Sequence, residues 1–381
     1  MKNAIWSKNF VLLCISSYMF FTSFTMIIAE LPNYLAGMGG EAYIGLIISL
    51  FTVTAGISRP FSGKLTDRWG RIPVMIIGAA VSGLGSALYP YTMSVGAFLL
   101  VRLFHGFSTG FKPTATSAYV ADIVPDHRRG EALGILSMFG TIGTAAGPSL
   151  GSQIFIWTDI NTLFYTSTAF AVGSVIILAG MKETLEPREK FSWKLLRISR
   201  DEIYEPSVIT PSIIMLLTTF TFGAVVTLSP DFSEYLGIEN KGMFFTFFSL
   251  ASLGVRFVGG RLSDKFGRKV VLKFSSSILG IAMIIIGFSE TVWQFFAGAA
   301  LFGIGYGLNS PTLFAWTIDQ SPNKTRGKGI STVFIALEIG IGTGSLLSGT
   351  LYQGMDDRFP WIFTAAAIFP FLAFFRLIFQ K

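Results

Sequence analysis

Charged residues are scarce in this sequence. Asp, Glu, Lys and Arg make up only 13% of its 381 residues, about half the share that is typical of soluble domains. Because 51% of the residues are hydrophobic, a water-soluble fold of this length would lack the polar surface that it needs. The composition excludes a cytosolic enzyme and a nucleic-acid-binding protein, and it predicts a polytopic membrane protein.

Cysteine is also nearly absent. Cys14 is the single cysteine and lies in an apolar run, so neither a disulfide nor a metal cluster is available within the chain. The sequence contains no ATP-binding loop and no nucleophile–base arrangement. We therefore expect no cofactor and no bound metal, and we expect that the protein is not an enzyme.

Long apolar runs fill most of the chain. A membrane-spanning helix needs about 20 apolar residues, and the breaks in hydropathy predict twelve such helices in an all-α integral membrane fold. The predicted spans are 10–35, 43–62, 73–92, 95–121, 131–154, 161–181, 209–228, 242–259, 270–289, 292–318, 328–352 and 360–379. The first run is too long for the apolar part of a secretory signal, so we interpret it as a retained span.

Basic residues are unevenly distributed between the connections. If the N-terminus lies inside, 25 of the 29 Lys and Arg residues fall on the cytoplasmic side. Lys241 and Arg358 fall outside, and Arg102 and Lys112 lie within a span. This distribution follows the positive-inside rule and predicts an inner (plasma) membrane protein with both termini in the cytoplasm. It also accounts for the net charge of +7 without a nucleic-acid partner.

A polar stretch over residues 182–208 separates two groups of six spans. It predicts an N-terminal six-helix bundle at 1–181 and a C-terminal six-helix bundle at 209–381. Phe191, Leu195 and Ile198 are spaced as on one face of a helix, which allows a short helix on the cytoplasmic surface. A solvated linker is the alternative interpretation.

The two groups of spans are related by an internal repeat of 197 residues. The shift aligns the same glycine, aspartate, arginine and proline positions in both halves rather than common apolar residues. The aligned pairs include Gly63 with Gly260, Asp67 with Asp264, Gly70 with Gly267, Arg71 with Arg268, Asp122 with Asp319, Gly143 with Gly340 and Gly147 with Gly344. Two pseudo-symmetric halves of this kind predict a substrate site at their interface, near mid-membrane.

The loop between spans 2 and 3 carries a recognisable motif. Gly63-Lys-Leu-Thr-Asp67-Arg-Trp-Gly70-Arg71 resembles the signature loop of the major facilitator superfamily, and the segment from Gly260 to Lys269 repeats it. The resemblance implies the major facilitator fold, a small-molecule substrate and a monomer working in the lipid bilayer.

Asp67 and Arg71 lie four residues apart, within pairing distance on one helical turn, and Asp122 is a plausible second partner for Arg71. The resemblance implies that these charges latch the cytoplasmic side during transport; a static clamp on the helix ends is the alternative. The predicted gating residues are Gly63, Asp67, Gly70, Arg71, Asp122, Gly260, Asp264, Gly267, Arg268 and Asp319.

Ionisable side chains inside spans are costly and therefore mark candidate functional sites. Four of them stand out in this sequence: Glu30, Arg102, Lys112 and Glu338. Arg102 and Gly106 also resemble a family pattern, Arg-x-x-x-Gly, whose arginine is associated with proton transfer. We predict that Glu30, Arg102 and Glu338 couple transport to protons. The alternatives are a glutamate wetted from outside for Glu30 and a structural arginine paired with a carboxylate for Arg102. For Glu338, the alternative is a buried partner for a cation.

Span 4 has a polar face, because Arg102, His105, Thr109, Lys112 and Thr116 follow helical spacing. Such a face requires a water-filled cavity or buried partners. Lys112 lies about 15 Å deep and suits either an anionic substrate group or an ion pair with a carboxylate. The resemblance implies that spans 1, 4, 7 and 10 surround the cavity. The predicted lining residues are Tyr18, Thr22, His105, Thr109, Lys112, Thr218, Phe222, Tyr306 and Asn309.

Span 5 bears on the direction of transport. Its sequence Gly143-x-x-x-Gly147-Pro148-x-x-Gly151 resembles the pattern of the antiporter branch of the superfamily. It favours an exporter that exchanges its substrate for protons, although ordinary small-residue packing is an alternative explanation of the glycines. An importer or uniporter of a sugar or organic anion and a non-transporting membrane sensor are the competing functions.

Overall fold

The computed structural model describes residues 6–125, 128–186, 188–199, 203–322 and 326–379, with their side chains except those of 129–131, 257–261 and 326–327. Throughout these ranges the regular secondary structure is helical. The α-helices are α1 (Lys8–Met26), α2 (Leu31–Ala36), α3 (Ile44–Arg68), α4 (Arg71–Leu88), α5 (Val95–Ile123), α6 (Arg129–Trp157), α7 (Ile160–Ala179), α8 (Ile209–Tyr235), α9 (Met243–Phe266), α10 (Arg268–Gly287), α11 (Val292–Gln320), α12 (Arg326–Tyr352) and α13 (Phe359–Phe379).

These helices confirm the predicted fold class. α1 and α2 together occupy the first predicted span, and α3 to α13 occupy the other eleven, one helix each. Nine helical stretches within the described ranges are long and apolar enough to cross a membrane on composition alone. The remaining predicted spans, α5, α9 and α11, are helices of 29, 24 and 29 residues.

The first predicted span contains a break. α1 ends at Met26, and α2 begins at Leu31 with Pro32 in its first turn. Proline lacks an N–H group and clashes with the carbonyl four residues before it, so Pro32 favours a break here and is accommodated in the first turn of α2. The break places Glu30 at the N-cap of α2, with its side chain buried.

Polar side chains mark several helix starts. Ser7, Ser94 and Asp159 accept hydrogen bonds from backbone N–H groups in the first turns of α1, α5 and α7. At Asp159, hydrogen bonds from the backbone N–H and the hydroxyl of Thr162 hold the pKa of the carboxyl below its ordinary value. This cap is therefore retained until the pH falls through that lowered pKa.

The chain forms two compact units. Unit 1 contains Met1–Ile28 and Thr54–Glu202, and unit 2 contains Ala29–Val53 and Ile203–Lys381. α3 is thus divided, because its residues up to Val53 pack with unit 2. The sequence-based boundaries of the two halves, at 181 and 209, stay a prediction.

Each unit repeats the same helix pairings. In unit 1, α1 packs on α6 and α7, and α4 packs on α5 and α7. In unit 2, α8 packs on α12 and α13, and α10 packs on α11 and α13. These are the helices that the shift of 197 residues relates, so the sequence repeat is also a repeat of packing.

The short surface helix considered for the stretch after α7 does not form. The described helical structure within 188–199 is a single 3-10 turn, Trp193–Leu196. Leu195 is buried in the hydrophobic core of unit 1, so it is not available to a membrane surface. Nearby, Lys64 Nζ on α3 donates to the carbonyl of Arg197 over 2.7 Å.

Glycines bring α6 against the backbone of α1. A Cβ at Gly143 would lie 2.6 Å from the carbonyl oxygen of Tyr18, and Cβ atoms at Gly147 and Gly151 would meet Thr25 and Met26 even more closely. The equivalent helices α12 and α8 meet in the same way, at Gly340 and Gly344. Helix backbones approach this closely only where side chains are absent.

We predict that Gly151→Ala lowers the free energy of unfolding by about 1–3 kcal/mol, because its methyl group would press on the Met26 carbonyl. Gly134→Ala on the same helix is the matched control, since nothing lies within 4 Å of its Cβ position. Thermal unfolding of the purified variants in detergent measures the difference. Equal melting temperatures for the two variants would show that α6 does not approach α1 in this way.

Candidate functional site

Two basic side chains of α5 lie inside unit 1. Arg102 and Lys112, both on α5, are each 1% exposed. A buried charge is strongly unfavourable unless polar groups replace the water that it has lost. The groups that surround these two side chains therefore define the candidate site.

Arg102 begins a chain of hydrogen bonds across unit 1. Its guanidinium donates to the Tyr89 hydroxyl over 3.2 Å, and that hydroxyl lies 3.2 Å from Nδ1 of His105. His105 Nε2 lies 3.2 Å from the Ser82 hydroxyl, which lies 3.0 Å from the Ser23 hydroxyl. The chain therefore runs from α5 through the turn after α4, back to α5, and on through α4 to α1, and every member is buried.

The two rings of this chain are tightly held. The Tyr89 ring stacks on Phe164 with a centroid distance of 5.1 Å and lies 5.5 Å from Phe98. The His105 ring lies against Gly85, where a Cβ would be 2.7 Å from the ring carbon Cγ. Only a glycine on α4 leaves room for the imidazole at this point.

Lys112 has a different environment from Arg102. Its ammonium group donates to the backbone carbonyl of Ser16 over 3.3 Å and lies 4.9 Å from the centre of the Phe20 ring. It forms no ion pair with any residue that the structure describes. Gly78 on α4 makes room for it, since a Cβ there would be 2.6 Å from the Lys112 backbone nitrogen.

The other predicted lining residues of unit 1 bond within their own helices. Thr109 and Thr22 donate to the carbonyls of Gly106 and Tyr18, and both threonines are buried. Tyr18 itself is partly exposed. The structure thus gives the polar face of α5 buried partners at Arg102 and His105. A cavity-lining role for the other residues stays a prediction.

The repeat places Asn309 of unit 2 where unit 1 has Lys112. Asn309 accepts from the Thr218 hydroxyl over 3.0 Å and donates to the Ser275 hydroxyl over 3.1 Å. Ser275 is the repeat equivalent of Gly78. One unit therefore makes room for a cation at this position, whereas the other satisfies an amide with neutral hydroxyls.

Predicted lining residues and a predicted proton site meet on one side of unit 2. The rings of Phe222 and Tyr306 stack with their centroids 4.8 Å apart. The charges of Arg256 and Glu338 both act on the Tyr306 hydroxyl, and Glu338 is buried. The sequence did not predict the influence of Arg256 on Tyr306.

The first signature loop forms the predicted charge cluster. Arg71 donates to Asp67 over 3.0 Å and to Asp122 over 3.1 Å, and it also bonds the carbonyl of Thr66. Gly70 has a φ of +148°, a conformation that favours glycine, and it ends the turn between α3 and α4. A Cβ at Gly63 would meet nothing within 4 Å.

The second signature loop repeats this geometry. Arg268 donates to Asp264 over 2.5 Å, to Asp319 over 3.0 Å and to the Ser263 hydroxyl over 2.7 Å. Gly267, with a φ of +86°, is the counterpart of Gly70. Gly260 lies in the part of α9 whose side chains are outside the described residues.

Glu183 completes the first cluster, and sequence reasoning missed it. Its carboxylate accepts from the backbone N–H groups of Arg71 and Ile72 over 3.1 and 3.0 Å, at the start of α4. The next residue, Thr184, donates to Asp122 over 2.6 Å. Glu183 lies 112 residues beyond Arg71, and no spacing within one sequence connects them.

A further ion pair joins three segments of unit 2. Lys241 Nζ lies 2.5 Å from Glu234 at the end of α8, and Glu234 also accepts from the Asn33 amide of α2 over 3.0 Å. One turn before Glu234, Asp231 has a buried carboxylate oxygen with no hydrogen-bond partner among the described residues. None of these residues belongs to a motif, so sequence reasoning missed this cluster as well.

Twelve membrane helices in two repeats of one packing pattern, each with a charged loop after its second helix, define a secondary transporter. The chain belongs to the Major Facilitator Superfamily, whose sequence model matches residues 12–243 and 211–381. It is thus a multi-pass membrane protein that carries a small-molecule substrate.

Known relatives support this assignment over the full chain. The staphylopine export protein of Staphylococcus aureus is 25% identical over 374 residues, covering 95% of this chain and 93% of that protein. A homologue of the multidrug resistance efflux pump PmrA from Lactococcus lactis is 25% identical over 369 residues, covering 92% and 89%. The crystal structure of the human organic anion transporter MFSD10 shares the fold, with a TM-score of 0.74, 18% identity and coverage of 97% and 98%.

We predict that Glu183→Ala destabilises the start of α4 by about 1 kcal/mol, the usual loss when a helix cap is removed. The backbone amides of Arg71 and Ile72 should then exchange hydrogen faster, because they lose their acceptor. Hydrogen exchange followed by mass spectrometry measures this. Glu186→Ala is the control, an equal charge change at an exposed position in the same segment. Unchanged protection of residues 71–72 in Glu183→Ala would refute the capping role.

Proposed function

We propose that this transporter exports its small-molecule substrate by alternating access, in exchange for protons. The observation that carries the proposal is a set of buried ionisable side chains on membrane helices: Arg102 and Lys112 in unit 1, and Glu30 and Glu338 in unit 2. Such groups are expensive within a membrane and mark proton relays and substrate pathways.

Two features support export rather than uptake. The relatives named above are an export protein and an efflux pump, although their identity to this chain is only 25%. The residues Gly143, Gly147, Pro148 and Gly151 of α6 also carry the pattern of the antiporter branch, and the three glycines form the contact with α1. Neither feature identifies the substrate.

In the proposed cycle, protons and substrate compete. A carboxylate, either Glu30 or Glu338, loses its charge when it binds a proton. If the substrate binds better to the charged form, each occupant displaces the other. Each then shifts the equilibrium between the two access states by its difference in affinity for them.

The signature loops provide the proposed gate. From the distribution of Lys and Arg, we assign the α3–α4 and α9–α10 loops to the cytoplasmic side, together with both termini. The ion pairs of Arg71 with Asp67 and Asp122 would break and re-form as that side opens and closes. Each loop presents one arginine to two carboxylates, so it has alternative partners during such a motion.

Proton coupling is tested with purified protein in liposomes, with ethidium as the fluorescent probe substrate. An imposed pH gradient should drive ethidium transport by the wild-type protein, and Glu30→Gln or Glu338→Gln should reduce the gradient-driven rate by at least about tenfold. Glu290→Gln, at an exposed position between α10 and α11, is the matched control. Wild-type rates of gradient-driven transport in both buried variants would refute the proposed proton coupling. Ethidium movement down the proton gradient, in the same direction as the protons, would favour an importer.

A substitution of Lys112 tests whether this lysine has a functional or a structural role. We predict that Lys112→Met is at least as stable as the wild type, because its ammonium group has lost its water for one hydrogen bond and one ring contact. The same variant should lose most ethidium transport, whereas Lys190→Met, at an exposed position, should lose none. Melting temperature and transport rate are measured on the same preparations. A destabilised Lys112→Met variant that still transports would show that the lysine is structural.

A further inference from the structure

The hydrogen-bond chain of unit 1 has a fixed direction. A guanidinium group can only donate hydrogen bonds, so the Tyr89 oxygen accepts from Arg102. At the other end, the Ser23 hydroxyl donates to the backbone carbonyl of Phe20 over 3.1 Å, and a carbonyl can only accept. Each group between these ends has one proton, which it donates in a hydrogen bond to the next group.

This direction determines the tautomer of His105. The Tyr89 O–H donates to Nδ1, which is therefore the unprotonated nitrogen of a neutral ring. Nε2 carries the ring proton and donates it to Ser82, whose hydroxyl donates in turn to Ser23. A second ring proton would have to bind to Nδ1. That nitrogen accepts the Tyr89 hydrogen bond while Arg102 donates to Tyr89.

We propose that His105 is a proton-binding site controlled by Arg102 through Tyr89. While Arg102 donates to Tyr89, the ring stays neutral. When Arg102 turns away, its charge no longer opposes a cation on the ring; Nδ1 can then bind a proton and donate it to the Tyr89 oxygen, while the Tyr89 O–H turns to another acceptor. The proposal deepens the proton-coupled function above and rests on it for its role in transport.

The surroundings of the ring favour this control. Among the described residues, two titratable groups that face His105 are Tyr89, from the turn after α4, and Arg102, one helical turn away on α5. α4 presents the neutral residues Ser82 and Gly85, and α1 contributes the Ser23 hydroxyl. In a dry interior, the charge of Arg102 opposes a second positive charge on the ring more strongly than it would in water. Moving Arg102 removes the charge and the hydrogen bond together.

Histidine NMR tests the proposal directly, because the sequence contains only one other histidine, His127. A His127→Gln protein labelled with ¹⁵N-histidine reports the state of His105 alone. We expect a neutral ring with its proton on Nε2, even at pH values below about 6.5, where an exposed histidine is mostly charged. A ring protonated on Nδ1, or one that titrates like an exposed histidine, would overturn the proposal.

Two variants in this background test the control by Arg102 and Tyr89. Arg102→Met should allow the ring to gain a proton in the pH range of an exposed histidine. Tyr89→Phe keeps the packing of the aromatic ring but removes the hydroxyl that links Arg102 to Nδ1, so the ring should gain a second proton at a higher pH than in the His127→Gln background. Tyr91→Phe, an exposed tyrosine of the same turn, is the control and should leave the titration of the ring unchanged. If Tyr89→Phe also leaves the titration of the ring unchanged, the proposal is wrong even if Arg102→Met fails to fold.

Transport measurements separate this proposal from the proposed function. In His105→Gln, a pH gradient should no longer raise ethidium transport above the downhill rate of the same variant. If the wild-type protein shows no gradient-driven transport, the proposed proton coupling is refuted. The NMR result alone then supports or overturns the proton site. If gradient-driven transport persists in His105→Gln, the role of His105 in coupling is refuted.

Discussion

The burial of the Arg102 guanidinium is the constraint on which the rest of the site depends. A cation with 1% exposure in an apolar helix bundle needs polar partners, and Tyr89, His105, Ser82 and Ser23 provide a continuous series of them from three helices. Gly85 on α4 leaves the space that the His105 ring occupies. The spacing of Gly85 and Ser82 on α4 therefore provides both the space for the ring and one of its hydrogen-bond partners.

The two units pack their helices in the same way but carry different residues at some equivalent positions. Their helix pairings are equivalent, and so are the arginine–aspartate clusters at Arg71 and Arg268. At the position of Lys112, however, unit 2 has Asn309 bonded to two neutral hydroxyls. Both units thus keep the arginine–aspartate cluster, whereas only unit 1 has a lysine at this repeat position.

The sequence predicted the elements that depend on local patterns. Hydropathy was sufficient for twelve spans. The four-residue spacing of Asp67 and Arg71 predicted their contact, and Asp122 was expected as a second partner of Arg71. It did not predict the break at Pro32 as an end of α1, nor the hydrogen bonds of Glu183 to α4, because the partners lie 112 residues apart. It also predicted His105 as a lining residue from the helical face alone. Which neighbours meet that face depends on tertiary packing, and here they are Tyr89 and Ser82.

In the proposed function, the buried charges of this transporter exchange protons for substrate. Proton release on substrate binding measures this exchange, with purified protein in weakly buffered detergent solution and ethidium as the substrate. We expect a measurable release of protons on ethidium binding at mildly acidic pH, which disappears at a pH where the carriers are already deprotonated. Ethidium binding with no proton release at any pH would refute the proposed exchange.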